Sequence, residues 1–397
     1  MTHQDPSRDV VVVGARCAGT AVARLLAARG HDVLLLDRAD LPGDTVSTHG
    51  IARGGVVQLA RWGLLDRVLA TGAPAIRDVT FVTADGELHR RVKDRAGVDL
   101  LVAPRRSVLD AILLDAALAA GADLRTGTTV TGLLRDRSGR VTGVRTRDGH
   151  GRSTDVAARH VVAADGLRSR TVQRLGAATL QGFEADASLF YFYVADVDWR
   201  GIEFHVSPDA FAGAFPTNDG QACVWLCRPT PAFTAVRSAG DRRSSALLAA
   251  LDDAAPVLAS RVRRGRIVSP VRGCVSPPSY VRQAWGPGWS LVGDAGYHRD
   301  PITGHGITDA FRDAELLAEA LHDVLEGADE PTSLGQYAAA RDAALAETFD
   351  LTRALARFPH PARFVELQMQ LARALDREAT ALASRPVPAG LVAAPAA

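Results

Sequence analysis

The chain has 397 residues, enough for two domains or for one large domain with insertions. Its 46 basic and 45 acidic residues leave a formal net charge of +1, which gives no electrostatic footprint for nucleic acid or an acidic membrane surface. The four cysteines show neither a CxxC pair nor a Cys/His metal spacing, and no apolar stretch approaches the ~18 residues of a membrane span. We therefore expect reduced cysteines, no metal centre, no membrane span and a cytoplasmic location.

Residues 9–37, DVVVVGARCAGTAVARLLAARGHDVLLLD, have the pattern of strand, turn, helix and strand. The apolar runs Val10–Val13 and Val33–Leu36 are typical of strands buried on both faces of a parallel sheet. The turn Gly14–Gly19 aims backbone N–H groups and the positive end of a helix at a pyrophosphate, and Asp37 follows near the expected distance of roughly 20 residues to accept from a ribose hydroxyl. The stretch predicts a dinucleotide-binding βαβ unit, with a packed βαβ unit that holds no ligand as the alternative.

Further blocks of the chain extend this first domain. Residues 76–103 switch to a period-two pattern with a hairpin turn at Asp85-Gly86, which predicts an antiparallel excursion. Helical periodicity returns at Arg106–Ala120, and His160–Gly166 predicts another buried strand. We assign the segments 1–75, 104–178 and 284–330 to one discontinuous α/β domain with a parallel sheet.

The remaining segments form a second domain and a helical end. Residues 179–283 alternate aromatic and aliphatic positions, as in SLFYFYVADV and ACVWLCRP, around one predicted helix over Ser244–Val262. Together with 76–103 they predict an inserted, mostly antiparallel substrate domain. Amphipathic helices follow in 331–383, and the Pro/Ala-rich residues 384–397 predict a flexible tail.

Three separated segments recur in one order: GARCAG at 14–19, ADGLRSR at 164–170 and GDAGYHRDPITGHGITDAFRDA at 293–314. Together they resemble the FAD-dependent monooxygenases of the aromatic-hydroxylase type, a superfamily shared with flavin halogenases and geranylgeranyl-reductase-like enzymes. The resemblance covers nearly the whole chain. It implies an α/β fold with a Rossmann-like FAD-binding domain, an inserted antiparallel β-sheet substrate domain and C-terminal helices.

The resemblance also assigns FAD-binding roles to individual residues. The residues that it implies are Gly14, Ala15, Cys17, Ala18 and Gly19 at the pyrophosphate, Asp37 and Arg38 at the adenosine ribose, Val130 at the adenine, Arg106 (or, failing it, Arg105) near the ribityl phosphate, Asp165 between FAD and a docking nicotinamide, Gly293 and Asp294 at the ribityl chain, and Pro301, Gly304, His305, Gly306 and Ile307 at the N1–C2=O edge of the flavin. A helix start at that edge would stabilise the negative charge of reduced flavin. Structural alternatives stay open: a solvated arginine for Arg106, plain core for Val130, a strand-end turn for Asp165, and an N-cap or Asx-turn for Asp294.

Arg16 departs from the fingerprint G-x-G-x-x-G, which would place glycine at that position. A glycine there lets the backbone approach the phosphates without a side chain in the way. We expect the Arg16 side chain to point away from the pyrophosphate, toward the flavin or solvent, or else to reach round and neutralise a phosphate.

The resemblance implies that NAD(P)H reduces FAD, that O2 adds at flavin C4a, and that the resulting hydroperoxide passes one oxygen to a substrate. No second glycine fingerprint occurs, so NAD(P)H is expected to dock only transiently. The substrate is expected to be a hydrophobic, aromatic or polyketide-like small molecule of secondary metabolism, in a pocket lined by Phe190–Tyr193, Phe211, Phe215 and Trp225. The candidate proton handlers are His49, Tyr297 and His298.

Three other functions stay open. An oxygen-independent flavin reductase of the geranylgeranyl-reductase type would work without O2. A flavin halogenase would need a W-x-W-x-I-P signature and a tunnel lysine, whereas the chain lacks that signature and its sole lysine is Lys93, on the peripheral excursion. A non-enzymatic flavoprotein would keep FAD without turnover. The sequence does not specify an oligomeric state.

Overall fold

A computed structural model describes residues 3–185 and 187–391 of the chain. The elements up to residue 175 are β1 (His3–Val13), α1 (Cys17–Ala27), β2 (Val33–Leu36), α2 (Arg53–Arg61), α3 (Leu65–Leu69), β3 (Asp78–Thr83), β4 (Gly86–Arg91), α4 (Arg106–Ala119), β5 (Asp123–Arg125), β6 (Thr129–Arg135), β7 (Val141–Arg147), β8 (Ser153–Ala163) and α5 (Arg170–Leu175). Those from 179 to 291 are β9 (Thr179–Phe183), β10 (Ala187–Ala195), β11 (Ile202–Ser207), β12 (Ala210–Pro216), β13 (Ala222–Pro229), α6 (Thr234–Ser238), α7 (Arg243–Ala254), α8 (Pro256–Arg264), β14 (Arg266–Ile267), β15 (Arg272–Cys274), β16 (Ser279–Arg282), β17 (Trp285–Gly286) and β18 (Trp289–Leu291). The last are β19 (Tyr297–His298), α9 (Gly306–Leu325), α10 (Glu330–Ala356) and α11 (Pro361–Ser384).

The first sheet has the order β17-β18-β8-β1-β2-β5, and its strands from β18 to β5 are parallel. The strands β7 and β6 extend it in antiparallel fashion beyond β8. Val10–Val13 pair with Val33–Leu36 on one side and with His160–Ala163 on the other. Alternate valines enter two different buried clusters, because helices cover one face of the sheet and the β6–β8 layer and α5 lie against the other. The predicted Rossmann-like parallel sheet is confirmed.

The second sheet has the order β14-β10-β13-β12-β11-β3-β4 and is mostly antiparallel. The excursion in 76–103 joins it, because β3 pairs with β11 in parallel register. A third, small sheet has the order β19-β16-β9 and lies between the two larger units in the chain.

Two sequence-based expectations about this second sheet are wrong. The single helix predicted over Ser244–Val262 is two helices, since Pro256 begins α8 and the preceding Ala255 leaves helical geometry at φ −149°. The aromatic run Phe190–Tyr193 cannot line one pocket as a whole, because its side chains lie on both faces of the sheet. Because side chains alternate along a strand, Phe190 and Phe192 pack under α7 and α8, and Tyr191 and Tyr193 face the opposite side.

The C-terminal helices cover that opposite side of the second sheet. Phe364, Leu367 and Leu371 of α11 are buried there against the sheet. Within the predicted tail, Arg385 pairs with Glu315 of α9 at 3.0 Å, and residues 392–397 lie outside the described part of the chain. In the described ranges, no helix combines the length and the apolar character that crossing a membrane requires.

Candidate cofactor and substrate site

A cavity of about 1150 Å³, called here the nucleotide cavity, opens where the carboxyl ends of β1, β2 and β8 meet the start of α9. This volume is slightly above the ~300–1,000 Å³ usual for small-molecule sites, as an extended dinucleotide requires. Ala15 and Gly19 do not line it. The other residues assigned from the sequence do: Gly14, Cys17, Ala18, Asp37, Arg38, His49, Arg106, Val130, Asp165, Gly293, Asp294, Tyr297, His298, Pro301, Gly304, His305, Gly306 and Ile307.

The turn before α1 is packed so closely that two of its positions accept only glycine. Gly14 has φ +107°, and a Cβ there would lie 2.4 Å from the carbonyl oxygen of Ala164. A Cβ on Gly19 would lie 1.8 Å from the carbonyl oxygen of Gly14. The first N–H groups of α1 have no partner within the helix, and Cys17 and Ala18 border the cavity. The corner therefore offers a site for an anion.

Arg16 is directed across the turn to α4. Its guanidinium donates to the carboxylate of Asp110 at 3.0 Å and to the carbonyl oxygen of Gly43 at 3.0 Å. The guanidinium of Arg16 therefore donates to protein groups, although the residue still borders the cavity. The guanidinium is therefore held by α4 and by the backbone of Gly43.

Arg106 is held by the same carboxylate. Its Nε and Nη2 groups donate to Asp110 one helical turn later, at 3.1 and 3.0 Å. The thiol of Cys17 also donates to Asp110, at 3.3 Å, and burial raises the pKa of this thiol. Arg105 instead pairs with Asp44. Sequence reasoning missed Asp110, although the i, i+4 spacing Arg106–Asp110 on a predicted helix was a usable signal.

Asp37 receives two backbone N–H groups, from Ala15 and Ala39, each at 2.9 Å. A carboxylate has about four acceptor sites, so the Asp37 oxygens can still accept from a ligand hydroxyl. Arg38 beside it is exposed at the cavity wall, and Val130 is a buried wall residue on β6.

Asp165 serves the start of α5. Its carboxylate accepts from the hydroxyl of Ser169 and from both the N–H and the hydroxyl of Thr171, at 3.1 and 2.9 Å. This is a helix-capping arrangement, which the sequence did not predict for Asp165. The neighbouring Arg168 is exposed at the rim of the nucleotide cavity.

Gly293 and Asp294 form a short 3-10 turn, Gly293–Ala295, directly against α1. Gly293 has φ +59°, and a Cβ there would lie 2.8 Å from the Cβ of Ala18. This contact joins the third sequence motif to the first. The exposed Asp294 carboxylate borders the cavity and accepts no hydrogen bond from any described residue, while its backbone carbonyl accepts from Tyr280 at 2.5 Å.

The start of α9 presents open backbone to the cavity. A 3-10 turn, Pro301–Thr303, leads into Gly304 in the left-handed region at φ +66°, and α9 begins at Gly306. A Cβ on Gly304 or Gly306 would meet no atom within 4 Å. His305 is buried, and burial lowers its pKa to about 4, so its ring is neutral. The positive end of a twenty-residue helix therefore faces free space.

Two of the proposed proton handlers are bound to protein groups. The Tyr297 hydroxyl donates to Asp309, and burial raises the pKa of Tyr297. The Nδ1 atom of His298 lies 2.7 Å from the carbonyl oxygen of Pro278. His49 differs, because its Nδ1 atom has no hydrogen-bond partner among the described residues.

A second cavity, called here the apolar chamber, has a volume of about 490 Å³. It shares Thr48, Gly50, Leu189, Pro301, Gly304 and His305 with the nucleotide cavity. Its wall includes Phe81, Phe204, Phe215, Trp225, Ile302 and Leu371. Phe215 and Trp225 were expected there, but Phe190–Tyr193 and Phe211 are absent from this wall.

One group of described side chains, His31, His322 and Glu326, could hold a metal ion. The two imidazoles are already in hydrogen-bond contact, with Nε2 of His31 2.8 Å from Nδ1 of His322. None of the three residues lines the nucleotide cavity or the apolar chamber.

Several proteins that are similar to this chain in sequence are named as reductases. The chain is 27% identical over 354 residues to the digeranylgeranylglycerophospholipid reductase of Methanocella arvoryzae, covering 86% of this chain and 84% of the relative. It is 30% identical over 402 residues to digeranylgeranylglycerophospholipid reductase 2 of Methanopyrus kandleri, covering 93% and 91%. The menaquinone reductase of Mycobacterium tuberculosis is 28% identical, covering 80% and 77%.

Comparison with solved structures gives the same fold in halogenases and a monooxygenase. A triple mutant of the flavin-dependent brominase Bmp2 superposes with a TM-score of 0.81 at 18% identity, covering 96% of this chain and 97% of the other. The myxobacterial chondrochloren halogenase CndH gives 0.80 at 22%, covering 98% of each chain. PqsL of Pseudomonas aeruginosa, a probable FAD-dependent monooxygenase, gives 0.74 at 20%, covering 92% and 100%.

A family model described as FAD binding domain matches residues 7–352, which include all three sequence motifs and both cavities' shared residues. The match spans most of the chain, and the glycine corners, the two helix starts and the large cavity agree with it. The chain belongs to this FAD-binding domain family and is an FAD-dependent oxidoreductase.

Proposed function

We propose that the chain is an NAD(P)H-dependent monooxygenase, a hydroxylase or epoxidase, that acts on a hydrophobic aromatic or polyketide-like small molecule. The observation that carries this proposal is the apolar chamber, which meets the nucleotide cavity at Pro301, Gly304 and His305. Apolar side chains supply most of its surface, so it favours a largely apolar ligand. Charged side chains also line it, namely Arg53, Arg90, Arg91, Lys93, Arg95 and Asp376.

The chain's own residues fit FAD. We assign the pyrophosphate to the start of α1, where Gly14 keeps the turn tight, and the ribityl hydroxyls to the free carboxylate of Asp294. The open space before Gly304 and Gly306 suits the polar edge of the flavin ring. When bound, FAD supplies the hydride and oxygen chemistry.

The protein's contribution to that chemistry is electrostatic and steric. The N-terminus of α9 stabilises negative charge at the ring edge, and the neutral His305 adds no charge of its own. NAD(P)H would dock transiently at the open rim of the nucleotide cavity, where Arg168 and Arg170 offer exposed positive charge.

An oxygen-independent reductase is the second candidate function. The observation that favours it is the set of relatives named as reductases, which match 80–93% of this chain at 27–30% identity. A long apolar substrate would suit the same chamber. Halogenases share the fold, and the sole lysine, Lys93, lines the apolar chamber instead of lying away from it, but the chain lacks the signature motif.

Oxygen stoichiometry separates these functions. NAD(P)H oxidation and O2 uptake are measured with FAD-loaded protein against phenols, polyketide aromatics and a geranylgeranyl lipid, with peroxide recorded. A monooxygenase consumes one O2 per oxygenated product. Product formed under anaerobic conditions would refute the monooxygenase and favour the reductase. If none of the compounds increases the rate of NAD(P)H oxidation, a non-enzymatic flavoprotein is favoured.

The FAD assignment has its own test. Asp294→Ala should weaken FAD retention on gel filtration, because ribityl hydroxyls lose their acceptor, while the exposed Asp198→Ala, whose side chain pairs at the surface with Arg200, should retain it. Full retention of FAD by the Asp294 variant would contradict the role given to this carboxylate.

A further inference from the structure

His49 lies on the loop of residues 44–50, at the junction of the nucleotide cavity and the apolar chamber. It lines the first, and its neighbours Thr48 and Gly50 line both. Its backbone has φ +68°, a region that residues other than glycine rarely adopt. Such conformations persist only where the surrounding structure fixes them, and they cluster at functional sites.

Two tyrosines of β10 fix this loop. The hydroxyl of Tyr193 is hydrogen-bonded to Nε2 of His49, and the two rings are stacked with 3° between their planes and 5.5 Å between their centroids. The hydroxyl of Tyr191 accepts from the backbone N–H of Ser47 at 3.2 Å. The imidazole therefore has one nitrogen occupied and its ring plane fixed.

The other nitrogen has no partner. The His49 side chain is 1% exposed, and its Nδ1 atom makes no hydrogen bond to any described residue. A buried polar atom left unpaired is costly, which favours a ligand as its partner. Imidazole nitrogen is a better acceptor than phenol oxygen, so Nε2 accepts the Tyr193 proton and Nδ1 carries the ring's own proton.

The surroundings keep this donor neutral. Burial, aided by the positive charges of Arg106, Arg105 and Arg272, lowers the pKa of His49 to about 3, although Asp44 acts in the opposite direction. A neutral N–H donor with guanidinium groups nearby suits an oxygen atom that carries or develops negative charge.

We propose that the Nδ1–H group of His49 donates a hydrogen bond to an oxygen atom of the substrate, which is therefore a hydrophobic molecule with a phenol, enol or ketone oxygen beside the flavin. This inference rests on the proposed use of the apolar chamber as the substrate site. Tyr193 is a positioning residue that fixes the ring through Nε2. The apolar body of the substrate occupies the chamber, and its oxygen points inward.

The test uses binding rather than turnover. FAD-loaded protein without NAD(P)H is titrated with 2-naphthol and with 2-methylnaphthalene by calorimetry, and the phenolate band of bound 2-naphthol is followed against pH by difference absorbance. The wild-type protein should prefer the naphthol by about tenfold. It should also lower the pKa of the bound naphthol by about one unit.

Four variants identify the donor. His49→Phe should abolish both effects while FAD content stays unchanged, and His49→Asn, which tolerates the same backbone and keeps an N–H group, should restore part of them. Tyr193→Phe should weaken the preference. Trp199→Phe, which removes a buried and unpartnered N–H outside both cavities, should leave both effects intact.

Distinct outcomes separate this inference from the proposed function. If His49→Phe binds and ionises 2-naphthol as the wild type does, or if Trp199→Phe removes the effects instead, the inference is overturned and the chamber stands. If the wild type binds neither probe, both are overturned. Loss of the effects in His49→Phe supports the inference even if no oxygen is consumed in turnover.

Discussion

The corner between β1 and β8 allows a sharp comparison of two glycines at the two ends of α1. Gly14 has φ +107° and Gly30 has φ +89°, so alanine is strained at both by roughly 1–2 kcal/mol. Only Gly14 has a neighbour in the way: a Cβ would lie 2.4 Å from the carbonyl oxygen of Ala164, whereas a Cβ on Gly30 meets nothing within 4 Å.

The extra cost at Gly14 follows from that contact. Ordinary contact begins near 3.4 Å, so β1 and β8 would have to separate by about 1 Å at their carboxyl ends. Forced overpacking of this kind costs about 1–3 kcal/mol beyond the backbone strain. That difference corresponds to roughly 1–4 °C in melting temperature if the 397 residues melt together. It also displaces the N–H groups at the start of α1.

The assay is calorimetric melting of Gly14→Ala and Gly30→Ala, with FAD content read from absorbance after gel filtration. We expect Gly14→Ala to melt lower than Gly30→Ala and to lose most of its FAD, and Gly30→Ala to keep it. Equal melting temperatures and equal FAD content in the two variants would refute the reasoning, since they would mean that the corner yields at little cost.

Three further outcomes are expected. Asp110→Ala should lose roughly 3–5 kcal/mol of stability, because it leaves the buried charge of Arg106 uncompensated. Asp115→Ala, on the exposed side of the same helix, should lose at most about 0.5 kcal/mol. Equal melting temperatures of the two variants would contradict this. Burial alone would raise the pKa of Glu330, but the neighbouring His160 and hydrogen bonds from Arg140 and the backbone N–H of Gly288 lower it to about 2. The pKa of Glu330 in the folded protein lies below its unfolded value of 4.5, so the ionised carboxylate stabilises the fold fully above pH 4.5, and this stabilisation is lost as the pH falls toward 2. Glu330→Gln should therefore melt at a lower temperature than the wild type at pH 7, and the difference in melting temperature should shrink in acid. Ala372→Trp, at an exposed position of the chamber wall, should raise KM for two-ring substrates by about tenfold with FAD retained, because the larger side chain fills part of the chamber. An unchanged KM would mean that the substrate binds outside the chamber.

Local patterns in the sequence specified several elements closely. The long helix α9, Gly306–Leu325, is one of them, because its apolar spacing and its flanking glycines are properties of one continuous segment. The valine run before Gly14 likewise indicated a strand buried on both faces, and Val10–Val12 have no exposed surface. The break at Pro256 was equally readable, since proline excludes helical geometry from the residue before it.

Contacts between distant segments were decided only by the tertiary structure. The sequence by itself determined the nucleotide-binding unit, the parallel sheet and the glycines of its corners, because periodicity and backbone restriction act over a few residues. It did not determine that Asp110 would hold both Arg16 and Arg106, or that Tyr193 would meet the ring of His49 across the second sheet. Those contacts depend on strand register and on which face each strand buries, and packing of the whole chain sets both.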